Sequence, residues 1–168
     1  IACQQVVAAG GAWSSLLLRN HGVELPQLSV RATVAQTGPM PKIFAGGAID
    51  NHFAFRRRQD GGYTMALGGF HEFFLGPDAF RRVAKFIPQV VKDPFGTKYL
   101  PAAPKHYPDA WSTKRHWTGD DISPFENMRI LDPVPNMNAV NRMQEHFVGA
   151  FSALGRPVIK SAWAGMID

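Results

Sequence analysis

Chemistry needs particular side chains, or bare backbone, at fixed spacings. In this sequence the positions to weigh are four glycine pairs, six histidines, one cysteine and a run of three arginines. The glycine pairs at 10–11, 46–47, 61–62 and 68–69 lack the G-x-G-x-x-G spacing of a dinucleotide loop, and there is no P-loop. The histidines at 21, 52, 71, 106, 116 and 146 show no H-E-x-x-H pattern, and each reads as a surface or core residue. A lone cysteine, Cys3, rules out a thiolate zinc site, so no metal is expected. No G-x-S-x-G elbow supports a serine hydrolase. Arg56-Arg57-Arg58 stands beside a turn signal and reads as the solvated end of a hairpin. A basic nucleic-acid module would need its cations gathered on one surface.

Composition narrows the classes. The 168 residues are 45% hydrophobic and 18% charged, which fits a globular chain of about one domain and not a disordered one. The net charge of +5 leaves room for anionic substrates or cofactors. With one cysteine no intrachain disulfide can form, so a reducing, cytoplasmic setting is expected. No apolar run is long enough for a membrane helix, and no basic leader precedes an apolar stretch. The chain starts at Ile1 and stops just after the apolar run 158–166, so a fragment truncated at both ends is expected.

The elements that must position any site follow from periodicity. Gln5 to Ala9 reads as a short buried strand, broken by Gly10-Gly11, and 12–20 as a short helix stopped at Gly22. Alternation of Leu28, Val30, Ala32 and Val34 predicts a strand ending before Gly38-Pro39. Phe53 and Phe55, then Tyr63, Met65 and Leu67, alternate on either side of Gln59-Asp60-Gly61-Gly62, which predicts a hairpin. A helix is expected from Pro77, kinked or ended at Pro88. Residues 92–135 are Pro-rich and aperiodic, an ordered excursion or lid. A second helix runs from an Asn136 cap to Leu154, with Val140, Phe147, Val148, Phe151 and Leu154 as its stripe; residues 157–166 read as a strand. This order predicts an α+β fold, an antiparallel or mixed sheet with helices packed on one side.

The stretch Val6-Val7-Ala8-Ala9-Gly10-Gly11-Ala12-Trp13-Ser14 resembles a signature of the D-amino-acid oxidase and sarcosine oxidase superfamily of flavoproteins. The likeness continues through Leu25-Pro26, Ser29-Val30-Arg31, Asp60-Gly61-Gly62-Tyr63, Leu67-Gly68-Gly69 and the closing Trp163-Ala164-Gly165-Met166-Ile167-Asp168. The 92–135 region is longer than the matching connection in the simplest members. The resemblance implies the substrate domain of a two-domain flavoprotein. Residues 1–22 would be the edge of the FAD-binding domain, 23–157 the substrate domain, and 158–168 a strand returning toward the FAD domain.

FAD is the cofactor the resemblance implies. Ala9, Gly10, Gly11 and Trp13 would lie by it, the glycines removing Cβ obstruction to a close approach. Arg31, Tyr63, His71, Trp163 and Met166 would bind substrate, although Arg31 could equally form a surface ion pair, and Tyr63 and Trp13 could be core residues. Relatives that oxidise glycine or D-amino acids carry a G-L-R-P arginine near the end of this segment, where this chain has Ile167-Asp168. The implied reaction is oxidation of the C–N bond of a sarcosine- or dimethylglycine-like amine by hydride transfer to flavin, with no catalytic side chain assigned. Oxygen or an electron-transfer partner would reoxidise the flavin. No nucleic acid or membrane partner is expected. The rival readings are a non-catalytic relative used for assembly and a basic nucleic-acid-binding domain.

Overall fold

The computed structural model describes residues 3–81, 83–92 and 96–167. Among these are seven strands with interspersed helices, the α+β class that the element order predicts. The chain divides into two compact units: residues 1–30, 72–131 and 166–168, and residues 31–71 and 132–165.

The second unit is a sheet covered by a helix. Its strands are β1 (Val30–Thr37), β2 (Gly47–Ile49), β3 (Phe53–Arg57), β4 (Tyr63–Leu67) and β7 (Ile159–Ile167). The order is β2-β3-β4-β1, with β7 on β1. β3 and β4 are antiparallel, with Phe55 opposite Met65, and β1 runs antiparallel to β4, with Ala35 opposite Met65. The expected hairpin is present. Gly61 takes the left-handed conformation at φ +83°, and the Gly62 N–H donates to the Asp60 carboxylate at 3.0 Å. β2 carries no sequence signal of its own.

Helix α5 (Met137–Ala150) covers one face. As expected, Asn136 caps it, its side-chain oxygen accepting the Asn138 and Ala139 N–H groups at 3.0 and 3.3 Å. Val140, Met143 and Phe147 from α5 pack with Phe53, Tyr63, Met65 and Ala35 in one cluster. Period two on β3 and β4 and 3.6 on the helix therefore meet in the same core, whereas β1 buries Thr33, Ala35 and Thr37 and not the even positions whose alternation predicts the strand. The helix ends at Ala150, and a short 3₁₀ turn, Ser152–Leu154, finishes the predicted span.

The first unit holds a 3₁₀ turn (Gly11–Trp13), α1 (Ser14–Asn20), β5 (His71–Phe74), α2 (Pro77–Arg81), α3 (Val83–Lys92), β6 (Thr97–Leu100) and α4 (Pro124–Asn127). Two expectations are corrected here. Residues 5–9 form no strand: Val6 and Val7 are exposed, and nothing in the described chain supplies the ladder a strand needs. Pro88 does not end its helix but lies inside α3, which continues to Lys92. Of the 92–135 excursion, the described residues 96–135 are held largely by turns and contain β6 and α4. Ser123 and Glu126 cap α4 reciprocally. Phe74, Tyr107 and Ala110 make the small apolar core of this unit.

Candidate functional site

In the first unit the glycine turn lies at the surface. Ala9, Gly10 and Gly11 are all exposed. Gly11 sits at φ +52°, and a Cβ built there meets no atom within 4 Å. The glycine is thus required by backbone conformation, and the space above it is open. Gln27 holds the turn from below. Its amide nitrogen donates to the Gly11 carbonyl at 3.0 Å, and its oxygen accepts the Ser15 N–H at 2.8 Å. An exposed turn without side chains, at fixed backbone geometry, fits the close approach of a dinucleotide. Trp13 is spent differently: it packs edge-on against Phe125, which also meets Trp117.

Met166 lines a cavity of about 30 Å³ with Ser15, Leu16, Phe74, Asp78 and Tyr107. That is room for roughly one water, far too little for an amino acid. Beside it lies an ion network that sequence reasoning missed. Arg19 pairs with Asp78 at 2.6 Å, and Arg115 with Asp109 at 3.0 Å. The Asp109 carboxylate also accepts the Asp78 N–H. Burial, then the neighbouring Asp78 charge, raises the Asp109 pKa above its ordinary value, against the opposing pull of the Asp78 N–H and Arg115. These residues are scattered through the sequence, so no local spacing announces them. Their contacts tie α1, α2 and the 101–123 excursion together, and they are structural in character.

In the second unit the two sheet faces differ. Odd positions of β1 and β4 face α5. Even positions lie on the opposite face, and none of them is buried. The register arranges them in two rows. Val34, Ala66, Ala54 and Ile49 make an apolar row; Gln36, Thr64 and Arg56 make a polar one, ending at Gly47. The Ser161 hydroxyl donates to the Gln36 side chain at 3.3 Å, which puts Ser161 on this face. Trp163, two residues on and 40% exposed, shares it. Arg58 and Asp60 flank the polar row, and Gln36 donates to Asp60 at 3.1 Å. The Gly62 N–H, with Arg58 as a weaker contributor, holds the Asp60 pKa down.

The other expected substrate residues fall elsewhere in this unit. Arg31 sits at an odd position of β1, and its guanidinium donates to the Val134 carbonyl at 3.0 Å, just before α5. Tyr63 is fully buried: its hydroxyl accepts the Ile43 N–H at 2.8 Å and donates to the Pro41 carbonyl at 3.2 Å, while Arg57 lies over its ring. His71 is half-buried at the start of β5. Trp163 is therefore the one of these side chains on the open sheet face. Sequence reading passed over Gln36, Thr64 and Arg56 because a row across strands appears only once the register is known. Asp168 lies outside the described residues.

The family model described as DAO, FAD dependent oxidoreductase, matches residues 1–168, and the chain belongs to that family. No curated protein matches the chain. Solved structures similar to it include two L-amino acid deaminases. An L-amino acid deaminase from Proteus vulgaris has a TM-score of 0.82 and 24% identity, over 97% of this chain and 37% of that one. An L-amino acid deaminase from Proteus myxofaciens, in complex with anthranilate, has a TM-score of 0.82 and 23% identity, over 95% and 35%. The chain thus spans little more than a third of the length of the solved proteins it resembles.

Proposed function

We propose that this member of the FAD-dependent oxidoreductase family oxidises the C–N bond of an amino acid, and that the chain supplies the substrate side of the site. The observation that carries this reading is the match of the family model to the whole chain. FAD, when bound, accepts the hydride from the carbon next to the amine. Ala9, Gly10 and Gly11 are the residues that would lie beside it, in keeping with residues 1–22 and 158–168 belonging on the cofactor side.

The open sheet face of the second unit is the surface we assign to substrate. The row of Val34, Ala66 and Ala54, with Trp163, gives an apolar floor that excludes water from the reacting carbon. Gln36, Thr64 and Arg56 offer donors at one end, and a guanidinium suits a carboxylate. Arg56 takes the role that Arg31 had on sequence grounds, because Arg31 is engaged with the Val134 carbonyl. Hydride loss from a neutral amine needs no general base, and we assign none. The substrate we favour is an N-methylated amino acid such as sarcosine or dimethylglycine, because Ile167-Asp168 stands where an arginine clamp would hold a primary amino acid. A second reading, a primary L-amino acid, is favoured by the names of the two similar structures.

The test is anaerobic bleaching of the flavin in the full-length FAD-loaded protein. The panel is sarcosine, dimethylglycine, glycine, primary D-amino acids and primary L-amino acids. Reduction by the N-methyl compounds supports the favoured substrate, and reduction by primary L-amino acids alone selects the second reading. A flavin that no amino acid reduces overturns both and favours a non-catalytic relative. Arg56→Ala is expected to raise KM roughly ten- to hundredfold, the loss of a charged hydrogen-bonded pair. Unchanged kinetics in that variant, with a defect in Arg31→Ala, would return the carboxylate to Arg31.

A further inference from the structure

The sequence from 79 to 92 holds four cations and no acidic residue. In the first unit this stretch forms the end of α2 and all of α3, and its two faces are chemically distinct. Val83, Ile87 and Val91 follow one another at intervals of four on one side of α3, and Phe80 precedes them on α2. Lys85 and Lys92 fall on the other side of α3 and are exposed, while Arg81, at the end of α2, pairs with Asp78 at 3.3 Å.

The apolar side is not spent in a core. Ile87 is 51% exposed, Val91 73% and Phe80 61%. Phe80 packs on Trp111, whose ring is itself largely exposed and is fixed by its N–H donating to the Leu75 carbonyl at 3.0 Å. Beneath the helix an open recess of about 240 Å³ is walled by Leu28, Phe73, Leu75, Phe86 and Val90, and among the described residues that line it the hydroxyl of Tyr99 is the one polar side-chain group.

We propose that this face docks on the surface of an anionic lipid bilayer, with α3 lying flat in the interface. Three observations select lipid over a protein partner. Lys85 and Lys92 share α3 with no acidic residue, which suits a negatively charged surface. The recess offers almost nothing to pair with a peptide backbone, whereas an acyl chain carries no group that needs pairing. An indole and a phenyl ring stand together at the edge of the apolar patch, as aromatic rings do at the headgroup boundary. No helix of the described residues is long and apolar enough to cross a membrane, and the contact proposed is that of α3 with the interface. It departs from the sequence expectation of no membrane partner, and it stands independently of the substrate assigned above.

The test is co-sedimentation of the full-length FAD-loaded protein with vesicles of phosphatidylcholine alone and of equimolar phosphatidylcholine and phosphatidylglycerol. Binding is expected to the mixed vesicles and to weaken with salt. The double variant Lys85→Glu, Lys92→Glu changes exposed positions that the core does not use, and it should lower partitioning about thirtyfold or more. Ile87→Asp with Val91→Asp should abolish sedimentation while flavin content and circular dichroism stay as in the parent. Absence of binding, equal binding to both vesicle types, or binding that survives both variants would overturn the proposal. So would a concentration-dependent dimer that the aspartate variant dissolves, because a second copy would then be the occupant.

Discussion

The two units are held together by different physics. In the second, Phe53, Tyr63 and Met65 on the sheet interlock with Val140, Met143 and Phe147 on α5, an apolar contact between regular elements. In the first, the apolar cluster is small, and the elements are joined by an ion network in which Asp78 is buried and Arg19, Asp109 and Arg115 are half-buried. Apolar packing is additive and tolerant, with each methylene contributing a little. A buried ion network is conditional: complete, it about breaks even against an apolar alternative, and with one member missing it is costly. The second unit should therefore fail by cavity and the first by charge.

The largest effect follows from that contrast. Phe147→Ala should destabilise the protein by about 3–5 kcal/mol, since the ring is fully buried among Phe53, Tyr63 and Phe151. Denaturant unfolding measures it, and the loss should be the same at neutral and mildly acidic pH. Asp78→Ala should cost about 3 kcal/mol for a different reason, leaving the largely buried Arg19 guanidinium without its carboxylate, while Arg115 keeps Asp109. A double-mutant cycle with Arg19→Met sharpens the comparison. The Asp78 change should cost much less in that background, and equal costs in both would show that the pair is not coupled.

The same contrast explains what could be read in advance. The hairpin, the Asn136 cap and the α5 stripe were legible because a local period or a single capping residue specifies each one, and the second unit is built from such parts. The FAD family was legible from the motif at 6–14 and the closing segment. The first unit is built from distant side-chain contacts. Asp78 and Asp109 meet across 31 residues, and Gly76 leaves no space for a Cβ against Asp109, a closeness no periodicity encodes. Pro88 does not end α3, because proline's missing donor is tolerated within a short, exposed helix. At the candidate site Trp163 stood out by type. The row of Gln36, Thr64 and Arg56 did not, because cross-strand neighbours exist only after register is set.

A smaller effect tests the polar contribution within the apolar unit. Asn136→Ala removes the two cap bonds of α5 and should cost about 1 kcal/mol by denaturant unfolding. Asn136→Asp retains an accepting oxygen and should restore most of it. A loss as large as that of Phe147→Ala would mean that the cap also positions the β1–α5 contact, where the Asn136 N–H donates to Thr33.

The finest test sets two aspartates of the first unit against each other. Asp121 is held by Lys114 and by the N–H and hydroxyl of Thr118, and its pKa is lowered to about 2. Asp109 is pushed the other way, by burial first and then by the charge of Asp78. The two carboxyls therefore make opposite contributions to the pH dependence of folding. For Asp121 the folded state releases its proton more readily than the unfolded one. Its contribution is present above the ordinary value of 3.8 and is lost as pH falls through about 2. For Asp109 the folded state holds the proton more tightly, so stability from this group is greatest below 3.8 and declines as pH rises through the raised folded value. Carboxyl carbon NMR should show Asp121 titrating last and Asp109 above the normal aspartate range. Asp109→Asn should flatten the fall in stability above pH 3.8, and Asp121→Asn the fall below it. If both carboxyls titrated together at the ordinary value, the ion network would be hydrated like the surface loop, and the contrast between the two ways of holding the fold would lose its electrostatic half.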